Sequence, residues 1–116
     1  MRLSLLLSLF VLAGASPGAA QEPVAMDGGL KGVMYRPSGA GPFPAIVALH
    51  GCGGIGRNPE KPSRRHADWG ERLAAAGFVV LFPDSFGSRG LGSQCNVRDR
   101  TVRPGRERVA DAVVAR

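Results

Sequence analysis

The chain has 116 residues, with 15 Lys+Arg against 9 Asp+Glu for a formal net charge of +6, 17 glycines and two cysteines. That length allows at most one small domain. The basic excess gathers at Arg57, Lys61, Arg64 and Arg65 and again from Arg98 to Arg108, in stretches rich in Pro, Gly and Asp. A nucleic-acid surface would interleave aromatics or present a basic helix face, so these read as solvated loops and no nucleic-acid partner is expected.

Arg2, the apolar run Leu3 to Ala13 and the small residues Gly18-Ala19-Ala20 form the three regions of an export signal. Residues 1–20 are therefore expected to be removed, leaving 21–116 as an exported domain, periplasmic or secreted. The alternative is a retained N-terminal anchor. The apolar run is too short to span a bilayer, and no stable membrane span is expected after cleavage.

After a short Pro-containing lead, Leu30 to Tyr35 alternates partially and ends at Arg36-Pro37, as an outer strand would. Ala45 to Leu49 and Phe78 to Phe82 are continuous apolar runs, the pattern of strands covered on both faces inside a parallel sheet. Between them, Ser63 to Ala76 reads as an amphipathic helix with Trp69, Leu73 and Ala76 on its inner face. Ser63 stands where an N-cap belongs, and Gly77 where a left-handed residue stops a helix. Strand, helix and strand make a βαβ crossover, right-handed by default. Pro83 to Gly105 reads as a long irregular connection. From Arg106 helical periodicity resumes, with Val109, Ala112 and Val113 on one face and Glu107, Arg108 and Asp111 pointing away. No stop signal precedes Arg116, so the end reads as a truncation.

The loop His50-Gly51-Cys52-Gly53-Gly54 follows the first apolar strand. Glycine at that density exposes main-chain N–H groups, which can hold a phosphate or a developing oxyanion. Gly51, Gly53 and Gly56 satisfy the dinucleotide pattern G-x-G-x-x-G. That fingerprint needs a helix to open within it, whereas Arg57 to Pro62 intervenes, and the nearest acidic residue at a strand end, Asp84, is too far along. The oxyanion reading fits better, with the Cys52 N–H as donor and Gly53 second.

Around this loop, Tyr35-Arg36-Pro37, Pro42-Phe43-Pro44-Ala45, Arg72-Leu73-Ala74-Ala75-Ala76-Gly77-Phe78, Phe82-Pro83-Asp84-Ser85-Phe86-Gly87-Ser88-Arg89-Gly90, Cys95, Arg108 and Asp111-Ala112 form a run that resembles the dienelactone hydrolase family. The resemblance covers roughly residues 28–116 and only the N-terminal part of the family's domain. It implies an α/β fold, the N-terminal part of an α/β-hydrolase with a parallel βαβ sheet core. It also implies cleavage of a small-molecule carboxylic ester or lactone through an acyl-enzyme, with no cofactor. The family's nucleophile, a Ser or Cys on a strand-to-helix elbow, and its later Asp and His are not found in place. The one literal elbow, Gly14-Ala15-Ser16-Pro17-Gly18, lies in the export signal, and Pro17 lacks the N–H required after the nucleophile. Cys52 has His50 at −2 and Ser85 has Pro83 at −2, so neither is the nucleophile. The chain as written is expected to be inactive, and a non-catalytic exported binding module is the alternative.

Supporting groups complete the inventory. His50 is expected to orient the loop rather than act as base. Asp84 and Arg89 are expected to pair and hold a loop, and Asp111 to pair with Arg108 along the last helix. His66 reads as solvated. Cys52 and Cys95 either form a disulfide, as an oxidising compartment permits, or remain a packed thiol and a loop residue. Two histidines and two cysteines without ligand spacing give no metal site.

Overall fold

A computed structural model describes residues 18–116; the expected export signal lies outside the described residues except for its last three positions. Strand β1 is Ala20–Ala25, β2 Lys31–Arg36, β3 Ala45–Val47, β4 Gly56–Asn58, β5 Lys61–Pro62 and β6 Val79–Pro83; the helices are α1, Arg64–Ala75, and α2, Glu107–Val114. Four strands form a sheet in the order β1-β2-β6-β3, and β4 with β5 form a separate small hairpin.

The β3–α1–β6 crossover is present, with β3 parallel to β6 in the register Ala45↔Val79, Ile46↔Val80 and Val47↔Leu81. The sheet as a whole is mixed, because β2 runs antiparallel to both β6 and β1. This corrects the expected outer position of β2. The lead that precedes it forms β1, which takes the edge, where Pro23 costs no central ladder bond. Conversely β3, read as an interior strand, is the other edge among the described residues.

One face of the sheet carries the core. Val33 pairs with Phe82 and Tyr35 with Val80 across the β2–β6 ladder, and all four are buried with Ile55 and Ala74. Fully burying side chains of this size contributes roughly 1.5–3 kcal/mol each. The opposite face, with Met34, Val47 and Leu81, is only half-covered.

Helix α1 packs on β2 and β6 through Gly70 and Ala74, with Leu73 of the expected stripe partly buried against the core and Trp69 and Ala76 exposed. The reason is a close approach: a Cβ on Gly70 would stand 2.3 Å from the Tyr35 ring. Only glycine lets the helix lie this near, and that rotates Trp69 outward to 55% exposure. At the other end Gly77 takes φ +94, its N–H donates to Ala74 C=O, and Phe78 N–H donates to Leu73 C=O. That is a Schellman stop. Ser63 occupies the N-cap without capping, since its side chain makes no bond to the first turn.

Helix α2 is turned the opposite way from its expected orientation. Asp111 is buried and Val109 and Val113 are exposed, because an ion pair draws the polar face inward.

Candidate functional site

Strand β3 hands the chain to its loop through one more ladder bond, Ala48 N–H to Leu81 C=O at 2.9 Å. Two residues on, His50 is 2% exposed. Its Nδ1–H donates to Gly51 C=O at 2.8 Å, leaving Nε2 to accept from Ser85 N–H at 3.2 Å. The ring stands edge-on to Phe86 with centroids 4.6 Å apart. Burial pushes the imidazole pKa below its usual value, a direction that the Gly51 bond opposes and the Arg108 charge reinforces. The neutral ring therefore ties the loop after β3 to the loop after β6. A third segment joins them, since Arg108 donates to His50 C=O and its guanidinium lies 5.8 Å from the Phe86 centroid.

Gly51 to Gly54 close a turn with Gly54 N–H donating to Gly51 C=O at 3.2 Å. Cys52 and Gly53 occupy its corner, both exposed. Cys52 C=O accepts from Gln94 N–H at 2.8 Å, and Cys52 is disulfide-bonded to Cys95 across a Cα–Cα distance of 4.8 Å. The N–H groups of Cys52 and Gly53 donate to no acceptor among the described residues. An exposed pair of free amides on a glycine turn is available to an anion.

The turn borders a cleft of about 950 Å³. Its far wall is the first half of α1, with His66 and Trp69, and Leu73 and Phe82 also line it. Trp69 is thus exposed to the cleft. His66 is half-buried rather than solvated. Its Nδ1 lies 2.7 Å from Ser63 Oγ, and its ring stands edge-on to Phe82 at 5.5 Å. This contact diverts the Ser63 hydroxyl from the helix cap. Burial lowers the His66 pKa as well.

Behind the cleft lies a second polar cluster. The expected Asp84–Arg89 pair is absent. Asp84 is spent on its own loop, accepting from Gly87 N–H at 2.9 Å and, at its carbonyl, from Ser88 Oγ–H at 2.5 Å. Arg89 instead forks onto Asp111 at 2.8 and 2.9 Å and reaches Ser85 C=O at 2.7 Å. The expected Arg108–Asp111 bond is likewise replaced, because Arg108 turns to His50. Burial works to raise the Asp111 carboxyl, but the Arg89 fork, the Ser85 hydroxyl and Arg108 together hold it below its ordinary value. The buried Ser85 hydroxyl lies near this carboxylate without hydrogen-bonding geometry to any acceptor.

Gln94 escaped the sequence reading, and Arg108 was assigned the wrong partner. Gln94 sits in a connection without periodicity, and nothing in the residue order marks it. Arg108 carried a signal, a charge three residues before Asp111, that pointed to the wrong partner.

The G-x-G-x-x-G match does not open a helix. The hairpin β4–β5 follows Gly56, and α1 begins only at Arg64. No curated protein and no solved structure matches the chain. The model of the dienelactone hydrolase family matches residues 30–116, a span that runs from the start of β2 through the glycine turn, the cleft and the Arg89–Asp111 cluster, and the chain belongs to that family.

Proposed function

We propose that this chain supplies the oxyanion-binding part of a hydrolase that cleaves a carboxylic ester or lactone through an acyl-enzyme intermediate. The observation that carries the reading is the pair of free N–H groups at Cys52 and Gly53, at the edge of a cleft large enough for a small-molecule substrate. As a carbonyl becomes tetrahedral its oxygen gains charge. Two amides already fixed in place stabilise that charge without reorganising, and losing one such donor costs roughly 3 kcal/mol of barrier. His50 serves as a positioning residue, holding the loop through Gly51 and Ser85.

The nucleophile is a separate matter. Cys52 is sealed in its disulfide, and Ser85 is wholly buried and does not line the cleft. No Ser or Cys of residues 21–116 has glycine at both −2 and +2, so these residues on their own stabilise an oxyanion without generating one. The disulfide also supports an oxidising, exported setting, in keeping with the leader-like residues 1–20. Among the described residues no helix is long and apolar enough to cross a membrane.

Two measurements test the reading. Titration with the monomethyl ester of phenylphosphonate, a stable tetrahedral anion, shifts the Cys52 and Gly53 amide resonances before any others. The chain does not turn over p-nitrophenyl acetate above buffer. Turnover that survives Cys52→Ala and Ser85→Ala refutes the assignment of roles.

A further inference from the structure

We propose that Cys95 is the positioning residue of the anion-binding turn, and that the Cys52–Cys95 bond makes the aim of the two amides conditional on the redox state of their surroundings. The inference rests on reading that turn as an oxyanion cradle.

The turn has little of its own to hold it. Its one internal bond is Gly54 N–H to Gly51 C=O, and the space where Cβ atoms of Gly51 and Gly53 would lie is empty to 4 Å. His50 Nδ1–H holds the carbonyl of Gly51, where the turn starts, and what fixes Cys52 itself comes from two adjacent points of one strip of chain. Cys95 grips the Cys52 side chain covalently, and Gln94 N–H grips the Cys52 carbonyl. The second grip matters for direction. The Cys52 C=O and the Gly53 N–H belong to one planar trans peptide and point opposite ways. Turning the carbonyl toward Gln94 therefore turns the Gly53 N–H away from it.

The strip itself is braced. Gln94 is 7% exposed and donates through its side-chain amide to Gly92 C=O at 3.1 Å. Arg100 donates to Cys95 C=O at 3.3 Å and to Val97 C=O at 3.0 Å. Cys95 is thus an anchored base, and Cys52 the moving end. Both cysteines line the cleft and both residues are exposed, so a soluble reductant reaches the bond. A dithiol reductant gives up two electrons and two protons, becomes a cyclic disulfide, and leaves two thiols here. Of the two grips on Cys52 itself, one neutral hydrogen bond from Gln94 then remains, and the peptides on either side of Cys52 are less firmly held.

The test compares oxidised and dithiothreitol-reduced chain by amide NMR during titration with monomethyl phenylphosphonate. Reduction is expected to weaken binding, read at Cys52 and Gly53, by about tenfold, the scale of an ordinary coupling between sites. Resonance changes should stay within residues 51–54 and 92–96, with Val33, Tyr35 and Phe82 unmoved. Cys95→Ser reproduces the weakening without reductant. Gln94→Pro, which keeps the disulfide and deletes the N–H on the Cys52 carbonyl, weakens binding in the oxidised chain too. Equal affinity in the oxidised and reduced chains overturns the proposal and leaves the oxyanion reading standing. Collapse of the whole sheet on reduction also overturns it, because the bond is then a general staple. Failure of the oxidised chain to shift Cys52 and Gly53 at all removes the oxyanion reading itself.

Discussion

Replacing Gly70 with alanine sets two effects of opposite sign against each other. In a helix interior, alanine is better than glycine by about 1 kcal/mol, so helix propensity alone predicts a more stable protein. The new Cβ, however, would lie 2.3, 2.5 and 2.6 Å from three carbons of the Tyr35 ring, more than about 1 Å inside ordinary carbon contact. The ring has no room to retreat. Tyr35 is fully buried, meets Phe82 edge-on at 6.1 Å, and donates its hydroxyl to Gln21 Oε1 at 3.1 Å. Either α1 lifts off the sheet or the Tyr35–Gln21 bond breaks. Overpacking of a rigid site costs up to about 3 kcal/mol, which leaves a net loss of about 2 kcal/mol. For a domain of this size that lowers Tm by roughly 10 °C, measurable by thermal unfolding followed by circular dichroism. A Gly70→Ala protein that melts at or above the parent temperature refutes the close helix–sheet approach on which the α1 packing depends.

Two further outcomes follow from the polar clusters. Asp111→Ala strands the Arg89 guanidinium and destabilises the chain by about 2–3 kcal/mol, below the full cost of a broken buried pair because the Arg89 side chain is 37% exposed; a urea midpoint unchanged within the equivalent of about 0.5 kcal/mol contradicts this. For pH, burial depresses the folded-state pKa of both His50 and His66 below their ordinary 6.5, so below that value the unfolded chain binds more protons than the folded one. Stability is therefore level above about pH 6.5 and falls as pH drops through it toward the folded values. Urea midpoints at pH 7.5 and 5.0 should differ, and His50→Gln, which keeps an acceptor for Ser85 N–H, should flatten the difference. Identical slopes in parent and variant refute the role of His50 in it.

How much of this was legible in the residue order depended on whether local pattern or distant partners decided each element. The β6 run and the Gly77 stop announced themselves, since a continuous apolar stretch and a left-handed glycine carry their meaning locally. Strand β1 did not. Gln21, Glu22 and Pro23 show no alternation, and the strand exists because β2 offers an edge. The inner face of α1 was read correctly at Leu73 and misread at the large Trp69, while the decisive residue was Gly70, important for the side chain it lacks. For α2 the valines suggested the inner face, but the Arg89 fork on Asp111 reversed it, a contact spanning residues 89 to 111 that no periodicity encodes. At the glycine turn the exposure of unbonded main-chain N–H groups was readable from residue type. Its tethering through Gln94 and Cys95 was not, because both lie in a connection whose path is set by tertiary contact.

The short strand β3 bonds to β6 along one side only, and its other margin, Ala45 to Val47, offers a row of main-chain donors and acceptors to whatever extended polypeptide arrives. Among the described residues no Pro or charged side chain interrupts that margin. Wherever that border stays unpaired, strand addition by a second polypeptide grows with protein concentration.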